Sequence, residues 1–256
     1  MKKLLCTLLS AAMLCGCAAA PVQTVPATSA PAESTAVHWQ LEKGGLTISS
    51  PDGLAENAIT TEKTADHTVV RISAPGTYVL TGRLDAGQIA VDLGEQAKDD
   101  PNAVVTLILD GLDITCTVAP AIIFYNVYES ESTVSAGANV YIAGDSTNHV
   151  NGSYVAKIYK SVELNEAGTE VVDSKKLHKY DGAVYSRRTM NVSGTGKLEI
   201  VAENEGLCSE MHLTINGGDI SIKSGNDGIN ASEDNISVFV MNDGELNIQV
   251  TGETGE

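Results

Sequence analysis

Aromatic residues are scarce in this chain, with one Trp and two Phe in 256 residues. A wide platform of stacked rings is therefore excluded. Eight tyrosines remain, of which Tyr125, Tyr128, Tyr141, Tyr180 and Tyr185 can serve only as individual contacts. Basic residues are scarce too. Sixteen Lys and Arg stand against 33 Asp and Glu, for a net charge of −17, which argues against nucleic acid and anionic headgroups as partners. Only Cys116 and Cys208 lie beyond the first 17 residues; they lack metal-ligand spacing and read as buried thiols. Cys-x-x-Cys, His-Glu-x-x-His, Gly-x-Ser-x-Gly and phosphate-loop patterns are all missing. His38, His67, His149, His178 and His212 are scattered without zinc spacing and read as surface or turn residues.

The N-terminal segment has the order of an export signal. Lys2-Lys3 supplies positive charge, and Leu4 to Leu14 an apolar stretch too short to span a bilayer permanently. Leu14-Cys15-Gly16-Cys17 fits a lipoprotein cleavage site. We therefore expect residues 1–17 to be a signal peptide ending at a lipidated Cys17, which anchors the mature chain to the membrane on its extracytoplasmic side. Residues 18–37, rich in Ala, Pro, Ser and Thr, cannot build a core and read as a tether. Residues 38–256 are left for one folded domain.

An acid–glycine step recurs in that domain, at Asp181-Gly182, Glu205-Gly206 and Asp227-Gly228, so from 181 to 205 and from 205 to 227 the spacing is 24 and 22 residues. Between steps an alternating strand, a glycine turn and a second alternating strand return: Met190 to Val192 then Leu198 to Ile200, Leu213 to Ile215 then Ile220 to Ile222, Ile236 to Val238 then Leu246 to Ile248. Alternation means strands with one buried face, and a fixed period of this size means a repeat architecture. The expected fold is all-β, a single-stranded right-handed parallel β-helix. If its rungs stack in register, Asp181, Glu205 and Asp227 form a column of carboxylates about 4.8 Å apart, beside Asn204, Asn226 and Asn230. Such a column either shifts its own pKa values or recruits Ca²⁺, which takes six to eight oxygen ligands. The competing reading is turn chemistry alone, because Gly reaches positive φ and Asp or Asn caps the bend.

Earlier in the chain, a strand pair around Gly44-Gly45 and strands at Thr68 to Ile72, Ile89 to Leu93, Val104 to Leu109, Pro120 to Tyr125 and Asn139 to Ile142 complete the all-β pattern. Residues 145–181 break the rhythm and read as a loop insertion. Within it, Tyr159 to Val172 has the pattern of a hairpin turning at Asn165-Glu166-Ala167-Gly168.

The runs Ala74 to Gly82, Gly87 to Asp92, Leu107 to Thr115 and Asn226 to Asn230 resemble a bacterial carbohydrate-binding β-helix family. The founding member of that family binds cellulose and acidic sugars, and its fold is similar to that of pectate lyases with bound calcium. The resemblance implies Ca²⁺ at Asn226, Asp227 and Asn230, extending to Glu205 and Asp181. Two departures stand out: Glu205 replaces the usual aspartate or asparagine, and Cys208 stands where Asn230 stands one coil later. Since the family continues into further rungs, the chain is also expected to be part of a longer product. The function implied is a surface lipoprotein that binds polysaccharide such as cellulose or polygalacturonate, without catalysis and with Ca²⁺. Without an aromatic platform, sugar must be held by hydrogen bonds along a flat strand face or through the ion, with Tyr185, Arg187 and Arg188 as candidate ligand contacts. The alternatives are a calcium-dependent polysaccharide lyase, with Arg187 or Arg188 as base, and a structural envelope solenoid without ligand.

Overall fold

Alternating apolar residues dictate strands nearly everywhere in the computed structural model, which describes residues 39–41, 45–155, 159–176, 180–233 and 236–252. These fall within one compact unit, Glu33–Glu256. The signal peptide, Cys17 and the tether lie outside the described residues. The chain begins with β1 (Trp39–Gln40), β2 (Thr47–Ser49), β3 (Ile59–Lys63), β4 (Thr68–Ile72), β5 (Gly76–Leu84) and β6 (Gly87–Asp92), followed by a 3-10 turn (Glu95–Asp99). Next come β7 (Val105–Thr115), β8 (Ile122–Asn126), β9 (Ala138–Ile142), β10 (Thr147–Gly152), β11 (Tyr159–Leu164) and β12 (Val171–Lys176). The last group is β13 (Gly182–Ser186), β14 (Met190–Gly194), β15 (Lys197–Ala202), β16 (Glu205–Ser209), β17 (Leu213–Ser224), β18 (Ile229–Ala231) and β19 (Phe239–Val250).

The all-β expectation stands, but the single-stranded right-handed parallel β-helix does not. The largest sheet closes on itself: β7, β10, β15, β17, β14 and β9 form a six-strand ring of parallel pairs. Two long strands make the closure possible. The first half of β7 pairs with β9 and its second half with β10; β17 pairs with β14 and then with β15. Each bends without ending because glycine sits at the bend, Gly111 at φ +75° and Gly218 at φ +103°, where a side chain would be strained. Antiparallel pairs β1–β2, β2–β5 and β3–β4 further depart from an all-parallel solenoid. A seven-strand sheet, β18-β16-β13-β8-β6-β4-β3, lies beside the ring, and the shared core includes Leu80, Leu107, Leu109, Ile122, Phe124, Val192, Leu207 and Ile222. Each such side chain contributes roughly 1.5–3 kcal/mol by leaving water.

Asn148 is among the buried polar residues. Asn148 is fully buried between Leu112 and Leu198 in the parallel register, just beyond the Gly111 bend. Its Oδ1 accepts the Leu112 N–H at 2.9 Å, while Nδ2 donates to Ser146 Oγ at 2.9 Å and the Lys197 carbonyl at 3.1 Å. The bend leaves a backbone donor without a strand partner, and a buried donor without one is costly. Asn148 supplies the missing acceptor.

The interruption of the repeat is narrower than residues 145–181. Residues Thr147–Gly152 are β10, a full member of the ring, so the excursion starts after Gly152. It contains the antiparallel pair β11–β12, a two-stranded sheet of its own; the Asn165 N–H closes the turn on the Glu170 carbonyl at 2.9 Å.

Candidate functional site

The seven-strand sheet carries a second apolar cluster on the face turned away from the core. Along β4, β6, β8 and β13 the residues facing inward include Val70, Ile72, Ile89, Val91, Ile122, Phe124 and Val184. The alternate positions build the separate cluster of Val69, Ala90, Ile123, Tyr185 and Cys208, with Tyr125 and Tyr180 packed against it. Parallel register places Arg71, Ala90, Ile123, Tyr185, Cys208 and Asn230 in one row across six strands.

Three tyrosines form the centre of this face. Tyr180 sits edge-on to Tyr125, with ring centroids 5.4 Å apart, and edge-on to Tyr185 at 5.5 Å. The returning end of the insertion supplies Tyr180; β8 and β13 supply its partners. Tyr185 is buried, while Tyr125 and Tyr180 remain half-exposed at the rim. The Tyr185 hydroxyl donates to Glu210 Oε1 at 2.9 Å, and Arg187 Nε lies 3.8 Å from the other oxygen of the same carboxylate. Burial first, and then the Glu210 carboxylate, push the Tyr185 phenol well above its ordinary range, so it acts as a fixed donor. At the other end Arg71 donates to Asp92 at 3.2 Å, and Asn126 Nδ2 donates to the second Asp92 oxygen at 2.8 Å. Burial raises the Tyr125 phenol as well, with Tyr180, Arg71, Asp92 and Arg187 as the neighbouring groups acting on it. The face therefore pairs two accessible phenol rings with guanidinium–carboxylate pairs on either side. Aromatic rings that present an apolar body and a polar tip, flanked by fixed hydrogen-bonding groups, suit a ligand with C–H faces and hydroxyl edges.

The predicted site residues divide. Tyr185 and Arg187 lie together on this face. Arg188, one residue on, points elsewhere: it reaches Glu129 at 2.8 Å, beside the chain that follows β8. Both arginines are thus engaged by carboxylates.

The acid–glycine steps do not form the expected column. Register pairs Gly182 with Glu205 and Leu207 with Ile229, offsets of 23 and 22, against acid–glycine spacings of 24 and 22. Glu205 and Asp227 correspond; Asp181 falls one residue out of step. Glu205 is buried, with Asn230 Nδ2 donating to both its oxygens at 3.1 Å and the Cys208 thiol donating at 2.9 Å. Asn226 and Asp227 are exposed. Among the described residues no three His, Cys, Asp or Glu side chains converge as metal ligands. A carboxylate already satisfied by a thiol and an amide, with its acidic neighbour out of register, does not offer the oxygen set that Ca²⁺ takes. These residues as arranged do not fit the ion. Cys208 does stand opposite Asn230, and both Cys116 and Cys208 are free, buried thiols as expected.

Several contributors escaped the sequence reading. Arg71, Asp92 and Glu210 sit on strands or turns with no motif, and only the register brings them beside Tyr125 and Tyr185. His212, read as a surface or turn residue, lies just before β17 and is buried, and its Nδ1 accepts the Val238 N–H at 3.2 Å.

Comparison with known proteins supplies the setting for this face. The family of carbohydrate-binding domain-containing proteins matches residues 66–255. A carbohydrate-binding domain-containing protein of Acetivibrio thermocellus is 26% identical over 156 residues, 60% of this chain and 45% of the relative. The matched region thus spans less than half of that relative's length. The solved structure of a polysaccharide lyase-like protein from C. thermocellum, a gadolinium derivative, aligns over 76% of both chains at 21% identity, with a TM-score of 0.49.

Proposed function

The chain belongs to the carbohydrate-binding domain-containing family, and on that premise we propose that it binds polysaccharide, cellulose or an acidic glycan such as polygalacturonate, through the tyrosine face of the seven-strand sheet and without catalysing its cleavage. The observation that carries this reading is the Tyr125–Tyr180–Tyr185 cluster between the Arg71–Asp92 and Arg187–Glu210 pairs. Sugar C–H groups stack on the half-exposed rings, and the charged pairs meet hydroxyls or a uronate carboxylate. With the Glu205 cluster closed on itself, binding is expected to survive removal of Ca²⁺. The order Lys2-Lys3, apolar stretch and Cys17 supports an extracytoplasmic, lipid-anchored location; Cys17→Ser is expected to release the protein from membranes.

The test is affinity electrophoresis of the full chain in soluble cellulose derivatives and in polygalacturonate, with Ca²⁺ and with EGTA. Tyr125→Ala and Arg187→Ala are expected to weaken retardation by about tenfold, the equivalent of about 1.4 kcal/mol. Tyr141→Ala, an exposed tyrosine on β9 in the other sheet, is expected to change nothing. Unaltered retardation in both face variants would refute this face as the site. No retardation of wild type in any glycan would favour a structural role, and ultraviolet-absorbing unsaturated products would move the protein among the lyases.

A further inference from the structure

The outer side of the ring holds a groove of about 360 Å³ across β15, β17 and β19. Besides Ile200, Ile222 and Ile248, six residues on alternate positions line it: Glu199, Val201, Ser221, Lys223, Asn247 and Gln249. They form two rows in register. Glu199, Ser221 and Asn247 stand side by side, and so do Val201, Lys223 and Gln249. The surrounding polar groups are largely paired with each other: His149 with Glu199 at 3.2 Å, Lys197 with Asp219 at 3.5 Å, and Asn247 Nδ2 with Glu245 at 3.1 Å. Inside the groove the side chains of Ser221, Lys223 and Gln249 make no hydrogen bond to any described residue. Val201, half-exposed, adds an apolar contact next to them.

We propose that this groove is a second glycan site, taking an extended, uncharged 1,4-linked chain laid across the three strands. Parallel strands repeat about every 4.8 Å, close to the rise per sugar of such a chain. Successive sugars therefore meet hydroxyl, ammonium or amide groups over β17 and β19, and the Glu199 carboxylate beside Val201 over β15. The two rows lie about 6.6 Å apart, two residues along a strand, so they can reach opposite edges of one ring. Local charge decides the ligand class. Lys223 is the one cation among the six lining residues and Glu199 the one anion, and Glu199 already faces His149. A groove of balanced charge on a chain of net charge −17 matches a neutral glycan better than a polyuronate. Unpaired donors and acceptors in a row are what a polyhydroxyl ligand satisfies, and stacked rings are not required.

This inference rests on the glycan-binding reading, and the experiment separates the two. The isotope-labelled full chain is titrated with cellohexaose, and amide shifts are followed by NMR. Wild type is expected to shift at two places, around Ser221, Lys223 and Gln249 and around Tyr125 and Arg187. Ser221→Arg, an outward-facing change that fills the groove, is expected to abolish the first set and spare the second; Lys223→Ala with Gln249→Ala is expected to weaken the first by at least about tenfold. Tyr125→Ala is expected to do the reverse. Groove shifts that persist in both groove variants, or shifts confined to the tyrosine face, would overturn the groove while leaving the first site standing. Absence of all shifts in wild type would overturn both. Hexagalacturonate displacing cellohexaose from the groove would overturn its assignment to neutral chains.

Discussion

Replacing Glu205 by Gln offers a direct test of the closed cluster at the acid–glycine step. Burial is the main influence on this carboxyl and raises its pKa; the hydrogen bonds from Cys208 and Asn230 pull the other way, and the nearby Asp181 and Asp227 raise it again. The net direction is upward. In the unfolded chain Glu titrates near its usual value of about 4.3. Between that value and the raised native one, the folded protein holds more protons than the unfolded, so stability falls as pH rises. The contribution is complete below about pH 4.3 and is lost as pH passes through the native pKa. One proton fixes the steepest slope at about 1.4 kcal/mol per pH unit, and the observed slope stays below that limit wherever the folded and unfolded states differ by less than a full proton. Urea unfolding of wild type and Glu205→Gln across roughly pH 4 to 8 isolates this group, because every other titration appears in both proteins. Wild type should lose stability relative to the variant as pH rises. A difference that stays flat, or one in which wild type gains with pH, would refute the account of a buried, internally satisfied carboxyl and reopen the step as a cation site.

Three further outcomes follow from the packing. Phe124→Ala, at a fully buried position between the two sheets, should cost about 3–5 kcal/mol, read from the urea midpoint. Gly194→Ala should cost more than about 1 kcal/mol, read by thermal unfolding, because φ of +113° strains any side chain and its Cβ would meet the Ile142 carbonyl oxygen across the β9–β14 pair. The Cys208 thiol, its pKa pushed well up by burial and then by Glu205, should resist thiol reagents in the native protein and react once urea unfolds it; fast native labelling would contradict the buried cluster.

Local pattern made the strands legible, but their assembly was not. Val104 to Leu109 read as a strand that ends before Asp110-Gly111, whereas β7 runs through the glycine as one bent strand. The pattern shows where a chain alternates, and hydrogen bonds across the bend decide whether it has ended. Ile236 to Val238 look like a strand, yet pairing with β17 starts at Phe239 opposite Leu213, which shifts the phase. Thr147–Gly152 was lost among polar residues because Asn148 faces the core where a hydrophobe is expected. At the site, Tyr185 and Arg187 were visible beside an acid–glycine step. Arg71 and Asp92 were not, since only inter-strand register joins residues that lie 114 and 93 positions before Tyr185. The carboxylate column misled for a related reason: equal-looking steps need not share an offset, and only Glu205 and Asp227 keep to the register.

The ring also sets an order in time. Its tightest closures, β14 on β17 and β15 on β17, join positions 23 and 22 residues apart, Val192 with Ile215 and Ile200 with Ile222. Its widest, β9 on β14 and β10 on β15, join Val140 with Val192 and Val150 with Ile200, at 52 and 50, across the β11–β12 excursion. Lengthening a loop adds little to the equilibrium cost of closing it, yet pairings this distant slow folding. A growing chain therefore holds β9 and β10 on the two halves of β7, each with an open edge, until β14 and β15 have been synthesised. For that interval two rows of unpaired amides are exposed, and protection from aggregation has to come from the speed of synthesis or from a chaperone, not from the finished barrel.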